Sequence, residues 1–119
     1  MKNLLVVAIV VLLSGCAAPA LYQWGGYDGL LYQSYKNPEK SVDLRVKLEA
    51  HIAATELARQ RVAPGLYAEV GTLYLQAGDT AKASAFYSRE RATWPESRAL
   101  MDALIKNIET QSAKPEAKS

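Results

Sequence analysis

The chain has 119 residues, half of which are hydrophobic, and its 14 basic and 12 acidic side chains leave a formal net charge of +2 at pH 7. A chain of this length forms one small domain with a modest core. The near-neutral charge balance, with both signs interspersed, excludes an electrostatic basis for binding nucleic acid.

The chain begins with a pattern typical of exported bacterial proteins. A short positive lead, residues 1–3, precedes an unbroken apolar run over residues 4–13. That run is too short to cross a bilayer, which takes about 20 residues. The sequence therefore predicts a lipoprotein signal peptide over residues 1–15, which is removed, rather than a membrane helix.

The tetrapeptide Leu-Ser-Gly-Cys that ends at Cys16 resembles the bacterial lipobox. The resemblance implies a diacylglyceryl group on the Cys16 sulfur, cleavage just before Cys16 and N-acylation of the new amine, with palmitate expected. Cys16 is the only cysteine, so the chain has no internal disulfide to form. Two or three acyl chains anchor a protein stably, at roughly 0.8 kcal/mol per buried CH₂. The alternative is a short secretory signal with an incidental cysteine.

The residue after the cysteine bears on the choice of membrane. In enteric-type bacteria an aspartate there is the usual signal for retention in the inner membrane, and this chain has Ala17 instead. We therefore expect a lipid anchor in the outer membrane, with the protein facing the periplasm.

The predicted tether, residues 16–27, leads into a segment that is dense in aromatic residues. Tyr22, Trp24 and Tyr27 are candidate partner-binding residues, because Tyr and Trp dominate binding hot spots. For Tyr22 and Trp24, packing on the domain is an equally open alternative. Tyr32 and Tyr35 share a helical face, and we expect them to pack on the next helix and close the open end of the stack.

The stretch YQWGGYDGLLYQSYK, residues 22–36, resembles the opening of a family of small bacterial lipoproteins catalogued as domain of unknown function 4810. The resemblance continues through PGLYAE, residues 64–69, and the Trp-Pro pair at 94–95. It implies a periplasm-facing lipoprotein with tetratricopeptide-like (TPR-like) helices, often encoded beside a curli-secretion-channel-like lipoprotein and a third small lipoprotein. It implies no activity and supplies no catalytic residues.

Two helices are predicted before the centre of the chain. The first has Asp28 as its N-cap and ends near Lys36, ahead of an Asn-Pro pair. The second runs from about Glu39 to Arg61. Its core stripe contains Leu44, Leu48, Ile52 and either Thr55 or Glu56, and continues to Leu57. Alanines on the adjoining face suit close helix packing, so the two helices are interpreted as a degenerate repeat.

Residues 64–95 carry the pattern that resembles a TPR repeat, with an αα-hairpin of other ancestry as the alternative. The matching positions are Tyr67, Val70, Gly71, Tyr74, Gly78, Ala83, Tyr87 and Pro95. Glu90 stands where the repeat usually has alanine, which predicts a less tightly packed end of the second helix. The first helix of such a repeat lines the concave face. That placement makes Ala68, Thr72, Leu75 and Gln76 candidate partner-binding residues.

A last helix is predicted from Pro95 to about Thr110, with a polar outer side that suits a capping helix. Residues 112–119 have no aliphatic side chain larger than alanine and are predicted to be disordered. The expected fold is all-α. It is a short TPR-like helical hairpin stack of about four helices over residues 28–111, behind the signal peptide.

The sequence contains no recognisable catalytic set. Acylation of Cys16 excludes it as a nucleophile, and no serine-nucleophile motif is present. His51 is the only histidine and is expected to be a half-buried packing residue, so neither a metal site nor a cofactor is expected.

The leading hypothesis is a non-enzymatic adaptor or structural lipoprotein that binds an envelope protein, such as a channel-forming lipoprotein, with self-association left open. One alternative is a pilotin-type chaperone that carries a channel-forming subunit to the outer membrane. Another is a lipoprotein that binds cell-wall glycan through Tyr22, Trp24 and Tyr27.

Overall fold

The computed structural model describes residues 26–114, and five α-helices occupy most of them. They are Tyr27–Lys36 (α1), Ser41–Leu57 (α2), Leu66–Gln76 (α3), Thr80–Thr93 (α4) and Arg98–Ala113 (α5). Short 3₁₀ turns, Pro38–Lys40 and Pro95–Ser97, lead into α2 and α5. This part of the chain contains no strand, which confirms the all-α prediction, with five helices rather than about four. The signal peptide, Cys16, Tyr22 and Trp24 lie outside the described residues.

The ends of α1 and α2 differ from the sequence prediction. Gly26, with φ of 72°, is the residue that precedes α1, so Asp28 lies inside the helix rather than at its N-cap. Helix α2 ends at Leu57, four residues earlier than predicted, because Arg59 adopts a left-handed conformation with φ of 56°. The Gln60 N–H then donates to the Thr55 carbonyl at 3.0 Å. This hydrogen bond across a left-handed residue is a common way for a helix to end.

Helices α3 and α4 form the hairpin predicted at the centre of the chain. Gly78 occupies the turn with φ of +85°, which a residue without a side chain adopts most readily. Asp79 then caps α4, because its Oδ1 accepts the N–H of Lys82 at 3.0 Å. Gly71 lies against the ring of Tyr87, where an added Cβ would sit 2.8 Å from two ring carbons. The absence of a side chain at Gly71 therefore sets how closely the two helices approach.

One hydrophobic core joins α2, α3, α4 and α5. Its buried side chains are Leu44, Leu48, Ile52, Val62, Ala63, Leu66, Tyr67, Val70, Leu73, Tyr74, Ala83, Tyr87, Met101 and Ile108. The predicted stripe of α2 is confirmed at Leu44, Leu48, Ile52 and Thr55, but not at Leu57, which is 87 % exposed because it lies on the opposite side of the helix. Helix α1 adds only the half-buried Leu30 to this core.

The loop between α2 and α3 is tied to the end of α4 by three hydrogen bonds. Glu90 Oε1 accepts the N–H of Gly65 at 2.8 Å, and Trp94 Nε1 donates to the Val62 carbonyl at 3.2 Å. The guanidinium of Arg61 donates to the Thr93 carbonyl at 2.8 Å and lies 4.1 Å from the centre of the Trp94 ring. Glu90 is only 1 % exposed. The predicted loose end of α4 is therefore wrong, since a carboxylate that binds a backbone N–H replaces the usual alanine.

The last helix runs to Ala113, so residues 112 and 113 of the predicted disordered tail are helical. Residues 115–119 lie outside the described residues. His51 is half-buried on α2, as expected.

Candidate partner-binding surface

The four candidate residues of α3 do not form one open surface. Ala68 and Leu75 are half-buried against the core. The Thr72 hydroxyl donates to the Ala68 carbonyl at 3.0 Å and lies 3.0 Å from the hydroxyl of Tyr87. Gln76 is exposed. Helix α4 packs along the side of α3 that carries Thr72, which leaves Gln76 as the accessible member of the set.

Gln76 borders a groove at the end of the bundle where α1 turns into α2. The groove consists of two adjoining hollows of about 330 Å³ and about 230 Å³ that share Ser41, Leu73 and Gln76. The larger hollow is also lined by Leu31, Ser34, Tyr35, Pro38 and Glu69, and the smaller one by Val42, Arg45 and Ala77. We call these two hollows the end groove. Its lining combines aliphatic, aromatic and polar side chains, as protein-binding surfaces do.

The tyrosines of α1 are exposed, which corrects the prediction that they pack on the next helix. Tyr32 is 60 % exposed and Tyr35 is 87 % exposed. The inward face of α1 is instead marked by Leu30 and Ser34, four residues apart, which are both half-buried. At 100° per residue, a helix whose inward face is centred on Leu30 and Ser34 carries both tyrosines on its outward side. The side chain of Tyr27, at the first residue of α1, is not among those described.

Helix α2 carries a second exposed apolar surface that the sequence reasoning missed. Val42, Val46 and Leu57 are 52 %, 57 % and 87 % exposed. Together with the exposed Ala50 and Ala53, they follow helical spacing on the side opposite the core stripe. That spacing was visible in the sequence, but the alanines were assigned to close packing within the domain.

Two tyrosines of α3 bind carboxylates of α2. The Tyr67 hydroxyl donates to Glu56 Oε1 at 2.5 Å, and the guanidinium of Arg89 pairs with the same oxygen. Arg89 also lies 4.5 Å from the centre of the Tyr67 ring. Burial, and then the hydrogen bond to Glu56, raises the pKa of Tyr67 to about 12.

The same arrangement occurs one heptad away along both helices. A hydrogen bond to Glu49, followed by burial, raises the pKa of Tyr74. Arg45 pairs with Glu49 at 3.7 Å and lies 4.4 Å from the centre of the Tyr74 ring. Each carboxylate thus has an arginine and a tyrosine as partners. These contacts link α2 to α3, although Arg45 Nε and Glu49 Oε1, 3.7 Å apart, form an ion pair without a hydrogen bond.

A third hollow, of about 210 Å³, lies between α2 and α4. It is lined by Glu49, Ile52, Ala53, Glu56, Phe86 and Arg89. Its charged residues, Glu49, Glu56 and Arg89, already contact Tyr74, Tyr67 or each other, so we assign this hollow no ligand. Over residues 26–114, no three His, Cys, Asp or Glu side chains come together in a way that could hold a metal ion. None of the helices in that range has the length and hydropathy that crossing a bilayer requires.

The comparison with family models places most of the chain in one family. The model described as Domain of unknown function (DUF4810) matches residues 21–104. The matched range includes every residue that lines the end groove and all the contacts that tie the α2–α3 loop to α4. No match was found among the curated proteins or among the solved structures.

Proposed function

Because the chain belongs to the DUF4810 family, we propose that it is a lipid-anchored adaptor or structural component of a bacterial envelope assembly. The anchor is the acylated Cys16, the membrane is the outer membrane, and the helical domain faces the periplasm. The partner is another envelope protein, and the family resemblance favours a channel-forming, curli-secretion-channel-like lipoprotein.

The end groove is the observation that supports a protein partner. Leu31, Tyr35 and Leu73 give it apolar surface, and its polar rim includes the exposed amide of Gln76. Each hollow is large enough to admit a large apolar side chain from a partner segment. At protein interfaces, a few buried aromatic side chains of the partner carry most of the free energy of association. The contacts of Tyr67 and Tyr74 with α2, together with the tied loop, join α2 to α3 and α4, which favours a preformed α2–α3 side of the groove and reduces the ordering needed on binding.

An affinity capture from detergent-solubilised envelope tests the adaptor proposal. The baits are the lipidated wild-type protein, the variant Gln76→Arg, and the control Ser88→Arg, which changes an exposed residue of α4 away from the groove. We expect the wild type and the control to retain the same envelope protein at a fixed ratio. Gln76→Arg should retain roughly tenfold less, which corresponds to about 1.4 kcal/mol, because a longer charged side chain at the rim obstructs both hollows. Equal recovery by all three baits would contradict a partner in the groove.

A second variant separates a permanent adaptor from a pilotin-type chaperone. Cys16→Ser removes the acylation site while leaving the described residues unchanged. If the protein is a permanent component, the partner reaches its own membrane without it, and the two proteins copurify when both are anchored. If the partner is mislocalised in the Cys16→Ser strain and does not copurify with the finished assembly, the chaperone alternative replaces the adaptor.

A further inference from the structure

The first helix follows closely behind the proposed lipid anchor. Ten residues separate Cys16 from Tyr27, where α1 begins. An extended chain spans at most about 3.6 Å per residue, so α1 starts within about 40 Å of the acylated cysteine. Along the chain, α1 is the described element nearest the membrane. The tether therefore keeps α1 within reach of lipid.

That outward surface has the composition of a membrane interface. Tyr32 and Tyr35 are 60 % and 87 % exposed, and the Nζ of Lys36 lies 4.9 Å from the centre of the Tyr32 ring. We call Tyr32, Tyr35 and Lys36 the outer face of α1. Tyrosine rings concentrate at the level of the lipid headgroups, where the ring is partly buried and the hydroxyl stays hydrated. A lysine beside them reaches anionic headgroups through a flexible apolar stem.

We propose that the outer face of α1 lies against the headgroups of the membrane that holds the anchor. This inference rests on the lipid anchor of the proposed function. A lipid surface fits better than a protein because Tyr32 and Lys36 line none of the hollows described above, so this face offers a partner side chain no cavity to enter. A shallow surface of two tyrosines and a lysine on a tethered helix instead fits the headgroup layer, where tyrosine rings are partly buried and a lysine meets anionic phosphates.

The membrane contact of α1 also limits which proteins can reach the end groove. Tyr35 lies at the boundary, because it belongs to the outer face of α1 and also lines the larger hollow. With α1 on the membrane, the groove opens beside the bilayer. The groove is then accessible to proteins held at the same membrane surface, and a freely diffusing periplasmic protein meets it only at its edge.

Site-directed spin labelling of the lipidated protein tests the contact directly. Acylation occupies the sulfur of the only native cysteine, so Tyr32→Cys or Tyr35→Cys introduces a single free thiol for a nitroxide. Each variant keeps the other tyrosine, so the contact is not removed by the probe. The control is Ser88→Cys on α4, also exposed. The lipidated proteins are reconstituted in vesicles of phosphatidylethanolamine and phosphatidylglycerol, and collisions with oxygen and with a water-soluble nickel chelate are measured.

We expect the labels at positions 32 and 35 to collide about threefold less often with the nickel chelate than the label at position 88, because an interfacial helix lies roughly 5–10 Å into the headgroup boundary. The unlipidated Cys16→Ser versions in buffer should show no such difference. Equal chelate accessibility at all three positions on vesicles would overturn the proposal. Protection that disappears when the protein is diluted into more lipid would also overturn it, because it would come from contacts between copies.

The lipid anchor on Cys16 and the membrane contact of α1 can be disproved separately. Intact-mass measurement of the purified chain shows whether Cys16 carries acyl groups before any vesicle is made. A chain without acyl groups removes both the proposed anchor and this inference. An acylated chain with water-accessible labels removes only the membrane contact of α1 and leaves the adaptor proposal standing.

Discussion

Glu90 is a buried carboxylate whose role can be separated from its charge. Its Oε1 accepts the N–H of Gly65 at 2.8 Å, while the residue is 1 % exposed. Glu90→Ala leaves that N–H without its partner, and we expect the free energy of unfolding to fall by about 1–3 kcal/mol in urea denaturation. Glu90→Gln keeps an acceptor oxygen in place and should cost less than Glu90→Ala. Glu96→Ala, at an exposed position, is the control that should change little.

If Glu90→Ala and Glu96→Ala have the same stability, the hydrogen bond to Gly65 contributes nothing measurable. If Glu90→Gln is as unstable as Glu90→Ala, the negative charge matters rather than the acceptor. Either result would change how the loop between α2 and α3 is held.

The raised pKa of Tyr67 predicts that the folded protein loses stability in alkaline solution. Its pKa is raised from 10.0 in a free side chain to about 12 in the folded protein, chiefly by burial and then by Glu56. Because the folded pKa is the higher one, the stabilisation from this group is fully present below pH 10 and is lost as the pH rises through 12. We expect the melting temperature to fall across this window, and to fall less in Tyr67→Phe.

Tyrosinate absorbance gives an independent measurement of the same pKa. The wild-type titration minus that of Tyr67→Phe should show one group ionising near pH 12. In Glu56→Gln the negative neighbour is gone, so the same difference should move toward lower pH. A difference centred near 10 in the wild type would contradict the burial of this hydroxyl.

At the scale of whole helices, the hairpin of α3 and α4 depends on one glycine. A Cβ at Gly71 would lie 2.8 Å from two carbons of the Tyr87 ring and 3.2 Å from the Ala83 carbonyl. Gly71→Ala must therefore push α4 away, and overpacking of this kind costs about 1–3 kcal/mol. Gly29→Ala in α1 is the matched control, because a Cβ there has no atom within 4 Å.

We expect Gly29→Ala to leave the protein at least as stable, since alanine is a better helix former than glycine by roughly 1 kcal/mol. Thermal unfolding followed by circular dichroism measures both variants. A Gly71→Ala protein as stable as Gly29→Ala would show that α4 can shift at no cost, and the close approach would not be a constraint.

The elements that the sequence predicted are those with strong local signals. The hairpin was marked by Gly78 and Pro95, and the core stripe of α2 by three large aliphatic residues at helical spacing. The early end of α2 had no such signal, because the left-handed residue there is Arg59, a residue type that rarely adopts that conformation. Local pattern cannot anticipate a conformation that the surrounding fold imposes.

The face of α1 and the role of Glu90 were missed for a different reason. In a helix as short as Tyr27–Lys36, Leu30 and Leu31 are equally plausible inward residues, and choosing Leu31 placed the tyrosines on the core. For Glu90, the partner is the backbone of Gly65, 25 positions earlier in the chain. Both features depend on tertiary contacts, which a single sequence does not display.

The two ends of the domain differ in how many large apolar side chains they leave exposed. At the N-terminal end, α1 and α2 together expose six large apolar side chains, while α5 exposes Leu100 and buries Met101 and Ile108 against the shared core. Helical stacks need their ends covered to remain soluble and stable. The proposed anchor precedes α1 in the chain, so the proposed membrane contact or partner would cover apolar side chains at this less covered end.

The burial of Met101 of α5 in the shared core predicts that the whole domain unfolds cooperatively. Met101 is 3 % exposed and belongs to the same core as the residues of α2 and α3, whereas its neighbour Leu100 is 61 % exposed. Met101→Ala should lower the free energy of unfolding by about 2–5 kcal/mol, while Leu100→Ala should change it by less than about 0.5 kcal/mol.

Because one core joins α2 to α5, unfolding of the wild type and of Met101→Ala should remain a single transition, with coincident curves from far-ultraviolet circular dichroism and from tryptophan fluorescence. In a Trp24→Phe background, which removes the other tryptophan of the chain, Trp94 at the junction of α4 and α5 makes the fluorescence sensitive to that end of the domain. If α5 were a separate cap, Met101→Ala would split the two curves, with the fluorescence change preceding the loss of helix. Coincident curves would mean that α5 and helices α2 to α4 unfold as one cooperative unit.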